Sequence, residues 1–247
     1  MIVVSLIVIA VGVWLYVSAG PAHSGARSLE AHVEAVDYPA DGARSATVVL
    51  NLGVAALRLS GGGRGLLRGT VQLPARMSRE RGLFSGSGET RLELRQHGTS
   101  AFWPVPGAGA SLWDLTLGGQ VPVSLTVQGG VGDVFLDLRD TLVSNVTVQG
   151  GVGRVTLTLP AGTASRVSVA AGVGSVHVIV PRDLDARVEA RSGVGSLDIS
   201  GPHALSGNSA RPLSAPAGAP RSQVNVRGGV GHVRLTFEDG PTLVAAG

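Results

Sequence analysis

The chain has 247 residues, a formal charge of +3 and no cysteine, which excludes a disulfide framework and thiolate chemistry and leaves only His and carboxylate donors for any metal. All 20 cationic side chains are arginine, scattered among 17 acids, so the clustered basic face of a nucleic-acid binder is excluded as well. The 37 glycines recur at regular intervals between stretches where Val, Leu and Ile alternate with polar residues, and therefore mark turns rather than disorder.

Residues 2–19 (IVVSLIVIAVGVWLYVSA) carry no charge and reach the lower length limit for a helix that spans a bilayer. Val17-Ser18-Ala19 would satisfy a signal-peptide cleavage pattern. No basic residue precedes the apolar run, however, so an uncleaved transmembrane anchor is the favoured reading. Arg27 beyond the span gives the positive-inside rule nothing useful to work on, and charge does not set the orientation. Residues 20–28 (GPAHSGARS) read as a linker of small and turn-forming residues.

Residues 29–119 read as an N-terminal cap with the first, irregular coils. Short strands are expected around 66–73, 90–94 and 112–117, and a weak copy of the later repeat lies in VVLNLGVAALRLSG, from Val48 to Gly61. Terminal units of a repeat stack are atypical because they must close it.

Regular units fill residues 120–237. Their triplets are Gly130-Val131-Gly132, Gly151-Val152-Gly153, Gly172-Val173-Gly174, Gly193-Val194-Gly195 and Gly229-Val230-Gly231. The first four start 21 residues apart, and the last follows after 36, one repeat plus an insertion of 15 within a Gly-, Pro-, Ser- and Ala-rich loop at 200–220. Residues 238–247 form a tail.

On both sides of each triplet the apolar residues recur with period two, which predicts strand, tight glycine turn, strand. The pairs Val146/Val148, Val167/Val169, Val188/Ala190 and Val224/Val226 should point inward before the turn. Val155/Leu157, Val176/Val178, Leu197/Ile199 and Val233/Leu235 should do so after it. The two glycines of a triplet are expected to take positive φ or to let backbones approach closely, and the valine between them to plug the core. The predicted fold is all-β: a β-solenoid, with an N-terminal transmembrane helix. Outward positions would form columns, Thr126, Thr147, Ser168, Glu189 and Asn225 in one, Asp133, Arg154, Ser175, Ser196 and His232 in another.

The block LNLGVAALRL…GLLRGTVQL, then Trp113-Asp114-Leu115, then the tandem GGVG turns resemble the extracytoplasmic toastrack-type domain of LiaF-like cell-wall-active-antibiotic response proteins. The likeness covers residues 46–237 or so. It implies a right-handed, β-helix-like stack outside the cytoplasmic membrane and a link to two-component envelope-stress signalling. The several N-terminal helices of such proteins are not matched here.

Catalytic patterns are not found. The histidines at 23, 32, 97, 177, 203 and 232 form neither HxH nor HExxH, and read as surface residues. Asp133 and Asp137 share a strand face without a cleft between them. Phe102, Trp103 and Trp113 are expected to pack the cap on the first coil. No enzyme activity, cofactor or metal is therefore expected. The expected function is envelope-stress sensing or regulation by a membrane-anchored protein, through contacts with a membrane sensor kinase or another envelope protein. The alternative is an envelope scaffold that self-associates through the solenoid ends.

Overall fold

The computed structural model describes residues 32–74, 77–98, 110–160, 164–206, 209–214 and 221–238. The apolar segment 2–19, the linker 20–28, Phe102, Trp103 and residues 239–247 lie outside them. Among the described residues all regular elements are strands, and no helix is long and apolar enough to cross a membrane.

The strands are β1 (His32–Tyr38), β2 (Ser45–Gly63), β3 (Leu67–Leu73), β4 (Met77–Gly86), β5 (Glu89–Gly98), β6 (Ser111–Gly118) and β7 (Val123–Val131). There follow β8 (Val134–Asp137), β9 (Val143–Thr158), β10 (Arg166–Pro181), β11 (Ala186–Ser200), β12 (His203–Ser206), β13 (Ser209–Pro212) and β14 (Ser222–Glu238).

The Gly-Val-Gly triplets lie inside the long strands and bend them. In β9 the buried residues that flank the triplet are even-numbered before it, Val146 and Val148, and odd-numbered after it, Val155 and Leu157. One extra residue is thus absorbed at the corner, as in a β-bulge: Gly150 pairs with Ala171 and Val152 with Val173, while Gly151 and Gly172 are skipped. The bend is sharp. A Cβ built on Gly150 would stand 2.9 Å from Val155 Cγ2, although a straight strand separates residues five apart by about 17 Å.

Each long strand therefore has two arms, and the core lies in the angle between them. First arms stack in the order β4, β5, β2, β7, β9, β10, β14, β11, β13, β12. Second arms stack as β1, β3, β6, β2, β8, β9, β10, β14, β11. From β5 and β6 to β11 the neighbours are parallel and keep the expected phase, Leu125 beside Val146 beside Val167. Inside, Leu50, Leu59, Leu92, Leu94, Trp113 and Leu115 are fully buried, each contributing about 1.5–3 kcal/mol relative to exposure.

The weak upstream copy is a full coil: β2 lies in register on β7 and β8, with Val54 opposite Val131 and Leu57 opposite Val134.

The stacking order departs from chain order at the far end. β14 inserts between β10 and β11, with Val176 and Leu197 both opposite Val233. Part of the insertion is itself strand, because β12 and β13 form a hairpin whose second strand pairs antiparallel with Val188 and Glu189 of β11. Side-chain size favours the exchange where the connection is long enough to permit it. β14 ends its second arm on Phe237, which is fully buried, where β11 has Gly201. The coil with the larger apolar payload takes the place that is covered on both sides.

Candidate functional site

The corner is built from glycines for two separate reasons. The last glycine of each triplet, at 132, 153, 174, 195 and 231, has φ between +133 and +144, where an L side chain is strained. The first has an ordinary φ but lies under a neighbouring backbone. A Cβ on Gly130 would meet the Gly53 carbonyl oxygen at 2.7 Å, one on Gly172 that of Gly151 at 2.7 Å, and one on Gly193 that of Gly229 at 2.6 Å. At Gly151 and Gly229 the approach to the Gly130 and Gly172 carbonyls is closer still.

The valine between them does not plug the core. Val131, Val173, Val230 and Val194, with Val54 of the upstream copy, are exposed and Val152 is half-buried, because the convex side of the bend carries the middle residue outward. They form an apolar ridge along the corner. The inner side is lined instead by the residue before the triplet: Gly129, Gly150, Ala171, Gly228 and Ser192. Sequence reading missed this position, although the repeated GGVG spelling marks it.

The outer faces carry the expected columns in a new order: Thr126, Thr147, Ser168, Asn225, Glu189, and Asp133, Arg154, Ser175, His232, Ser196. Asp133 Oδ1 accepts from the Arg154 backbone N–H at 3.0 Å, and the two side chains pair across the coils at 3.7 Å. Asp137 does not join Asp133 in an acid pair. Arg139 donates its Nε–H to Asp137 at 2.8 Å and holds that carboxyl below the usual carboxylate range.

The histidines are separated. His97 meets Glu80 at 2.9 Å on the surface, His232 meets Ser196 Oγ at 2.7 Å, and His203 stacks on Phe237 with ring centroids 5.5 Å apart. His177 and His232 lie on adjacent strands. His177 is half-buried beside Thr236, 2.9 Å away; desolvation, helped by the Arg234 charge, lowers its pKa. His23 lies outside the described residues. Among the described residues no group of three or more His, Asp or Glu is placed to hold a metal ion.

Trp113 is a core residue: it is fully buried, and its indole N–H donates to Ser111 Oγ at 3.1 Å. An open groove of about 570 Å³ lies on the first arms beside Phe84, Glu89, Arg91 and Ser124. What the arrangement offers is therefore surface: two sheet faces of small polar side chains and one apolar ridge.

Residues 27–179 match the family described as the N-terminal domain of toast_rack, DUF2154. The chain belongs to that family. The toast-rack fold is also found in a crystal structure to which this chain is similar, that of a candidate cell adhesion protein from Clostridium sporogenes ATCC 15579. The TM-score is 0.79 at 22% identity, covering 85% of this chain and 100% of that one. A candidate adhesin from Bacteroides fragilis NCTC 9343 matches at 13% identity over 85% of this chain and 98% of that one, with a TM-score of 0.29 that carries no argument. No curated protein matches. The family match ends inside β10, so the exchanged strands β11 and β14 lie beyond it.

Proposed function

We propose that this toast-rack chain is an extracytoplasmic protein held at the cytoplasmic membrane by residues 2–19, where it senses or regulates envelope stress through protein contacts on its outer sheet faces. The observation that carries the reading is the in-register stack. It presents columns of Thr, Ser and Asn on a rigid parallel scaffold, as in Thr126, Thr147, Ser168 and Asn225, a surface suited to docking rather than to chemistry. A membrane partner, such as a sensor kinase or another envelope protein, would meet a tethered domain at high effective concentration.

The test is complementation of a deletion strain challenged with a cell-wall antibiotic. A form exported without residues 1–19 should fail, and the full chain with His97, His177 and His232 all changed to Ala should complement. Loss of function in the histidine variant alone, with the untethered form active, would replace this reading by a metal-dependent or enzymatic one. Fractionation of the wild-type protein accompanies the test, since a processed form in the medium would remove tethering from the mechanism.

A second reading, display for adhesion, draws on the fold shared with the whole length of the candidate cell adhesion protein. Cell-binding by the isolated domain without any antibiotic-response defect in the deletion strain would favour it.

A further inference from the structure

The two ends of the stack are finished differently. At the N-terminal end β4 covers β5, β1 covers β3, and Arg79 of β4 ties the two arms together by donating to Glu34 at 2.9 Å and to the Tyr38 hydroxyl at 3.1 Å. That end is closed. At the other end β11 pairs with β14 from Ala186 to Ser200, while β13 covers only Val188 and Glu189. Among the described residues no strand lies against the outer edge of β11 from Ala190 to Ser200.

The side chains record the same opening. Leu197 is 42% exposed, whereas its counterparts Val134, Val155, Val176 and Val233 are at 4%, 2%, 2% and 1%. Next to it a cavity of about 250 Å³ opens between Leu197, Ile199, Leu205, Ala210 and Leu235. Ser192 Oγ, at the start of this edge, is shielded from solvent and makes no hydrogen bond.

We propose that the second arm of β11 is a docking site for an extended strand of a partner protein, one that carries an aliphatic–basic–aliphatic triplet and adds to the sheet as its next strand. The proposal rests on the fold and not on the stress-response reading. Three features define the occupant. The backbone edge offers N–H and C=O groups at strand spacing, which an extended chain satisfies and a compact apolar ligand does not.

The side-chain pattern is set by the stack. Each coil sends two aliphatic residues inward at alternate positions, Val155/Leu157, Val176/Val178, Val233/Leu235 and Leu197/Ile199. A strand in the same register puts two more over the cavity, whose volume suits two aliphatic side chains. The residue between them faces outward beside Asp198. That carboxylate has Arg234 on one flank at 3.4 Å and is well exposed on the other, so a cation there completes a column of alternating charge.

A single strand fits this edge better than a second stack does. β13 and β12 raise the neighbouring first arm by two strand widths, about 10 Å, and hold the flat end of another stack away from the lower second arm.

The probe is a fluorescein-labelled peptide with the sequence of residues 231–238, GHVRLTFE, the segment that β11 already pairs with on its other side. It is titrated by anisotropy against the full-length chain in lipid nanodiscs. Saturable binding is expected, weakened by about tenfold or more when alternate peptide nitrogens facing the edge are N-methylated or when the chain carries Leu197→Arg. Exchanging the peptide arginine for glutamate should weaken binding less. Leu197 is exposed, so the variant should keep the wild-type melting temperature. The peptide controls test the edge even if it does not. No binding, or binding indifferent to N-methylation and to Leu197→Arg, overturns the proposal. So does a concentration-dependent dimer abolished by Leu197→Arg in a chain that ignores the peptide, which would make a second copy the occupant.

Discussion

Val176 and Leu197 are one repeat apart in the chain and two strands apart in the stack, because Val233 lies between them. The connection from β11 to β14 makes this possible: 22 residues separate Ser200 from Gln223, whereas seven separate Thr158 from Arg166. Deleting residues 201–215 restores the seven-residue crossover and removes the β12–β13 hairpin. In that variant β14 should stack beyond β11, in chain order. Cysteine pairs and a thiol cross-linker spanning about 5 Å, one strand spacing, report the change. Ser175→Cys with His232→Cys should cross-link in the parent and Ser175→Cys with Ser196→Cys in the deletion. An unchanged pattern would mean that Phe237, and not the length of the connection, sets the order.

The corner glycines give a graded series. At Gly153 a side chain meets both a positive φ of 144° and the Gly132 backbone, so Gly153→Ala should cost about 2–4 kcal/mol. Gly151→Ala adds a collision with the Gly130 carbonyl at an ordinary φ and should cost somewhat less. Gly86→Ala, with no atom within 4 Å of the new Cβ, and Gln149→Ala on the exposed face should stay within about 0.5 kcal/mol of the parent. Denaturant melts of the four variants check the order.

The 21-residue period was legible because inward and outward residues alternate without a break from Val146 to Leu157 except at the triplet itself, and a parallel stack preserves that phase. The β14 insertion was not. Val233 would face Val176 or Leu197 equally well by pattern; the long connection permits either order, and the burial of Phe237 where the β11 coil has Gly201 favours the one observed. The outward turn of Val131 was hidden for a related reason, since a valine between two glycines looks apolar and therefore internal until the bend shows which side is convex. That Trp113 would be buried was legible, because a large apolar side chain within an alternating strand has few other places to go.

His177 should make the domain acid-sensitive. Burial, and secondarily the Arg234 charge, hold its folded pKa below the ordinary value of 6.5, so the folded state favours neutral imidazole while the unfolded chain takes up a proton more readily. Stability is then full above about pH 6.5 and declines as the pH falls below it, levelling off under the lowered folded value. His177→Gln, which keeps a partner for Thr236, should flatten that part of the melting-temperature profile. Asp137 acts in a different range. Its lowered pKa adds stability that is lost only near and below about pH 4. A parent profile flat from about pH 7 to about pH 5 would show that folding does not lower the His177 pKa.

Phase gives the most direct test of the stack. Deleting residues 146–166 removes one 21-residue coil and joins Asn145 to Val167, which occupies the position of Val146 in the register on β7. Every inward residue of β10 stays inward, and the stack shortens by one coil. Deleting residues 146–165 leaves one residue too many. Either Arg166 and Ser168 turn inward and Val167 and Val169 outward, or the chain before the junction is drawn along by one position and Val143, fully buried opposite Val123, leaves its site. The second route is the cheaper and still costs about 1.5–3 kcal/mol for one buried valine. The two deletions lose nearly the same mass and the same coil, so their difference isolates phase. The 20-residue deletion should melt several degrees below the 21-residue one. Equal melting temperatures would mean that the arms do not hold the one-residue alternation on which the whole stack is built.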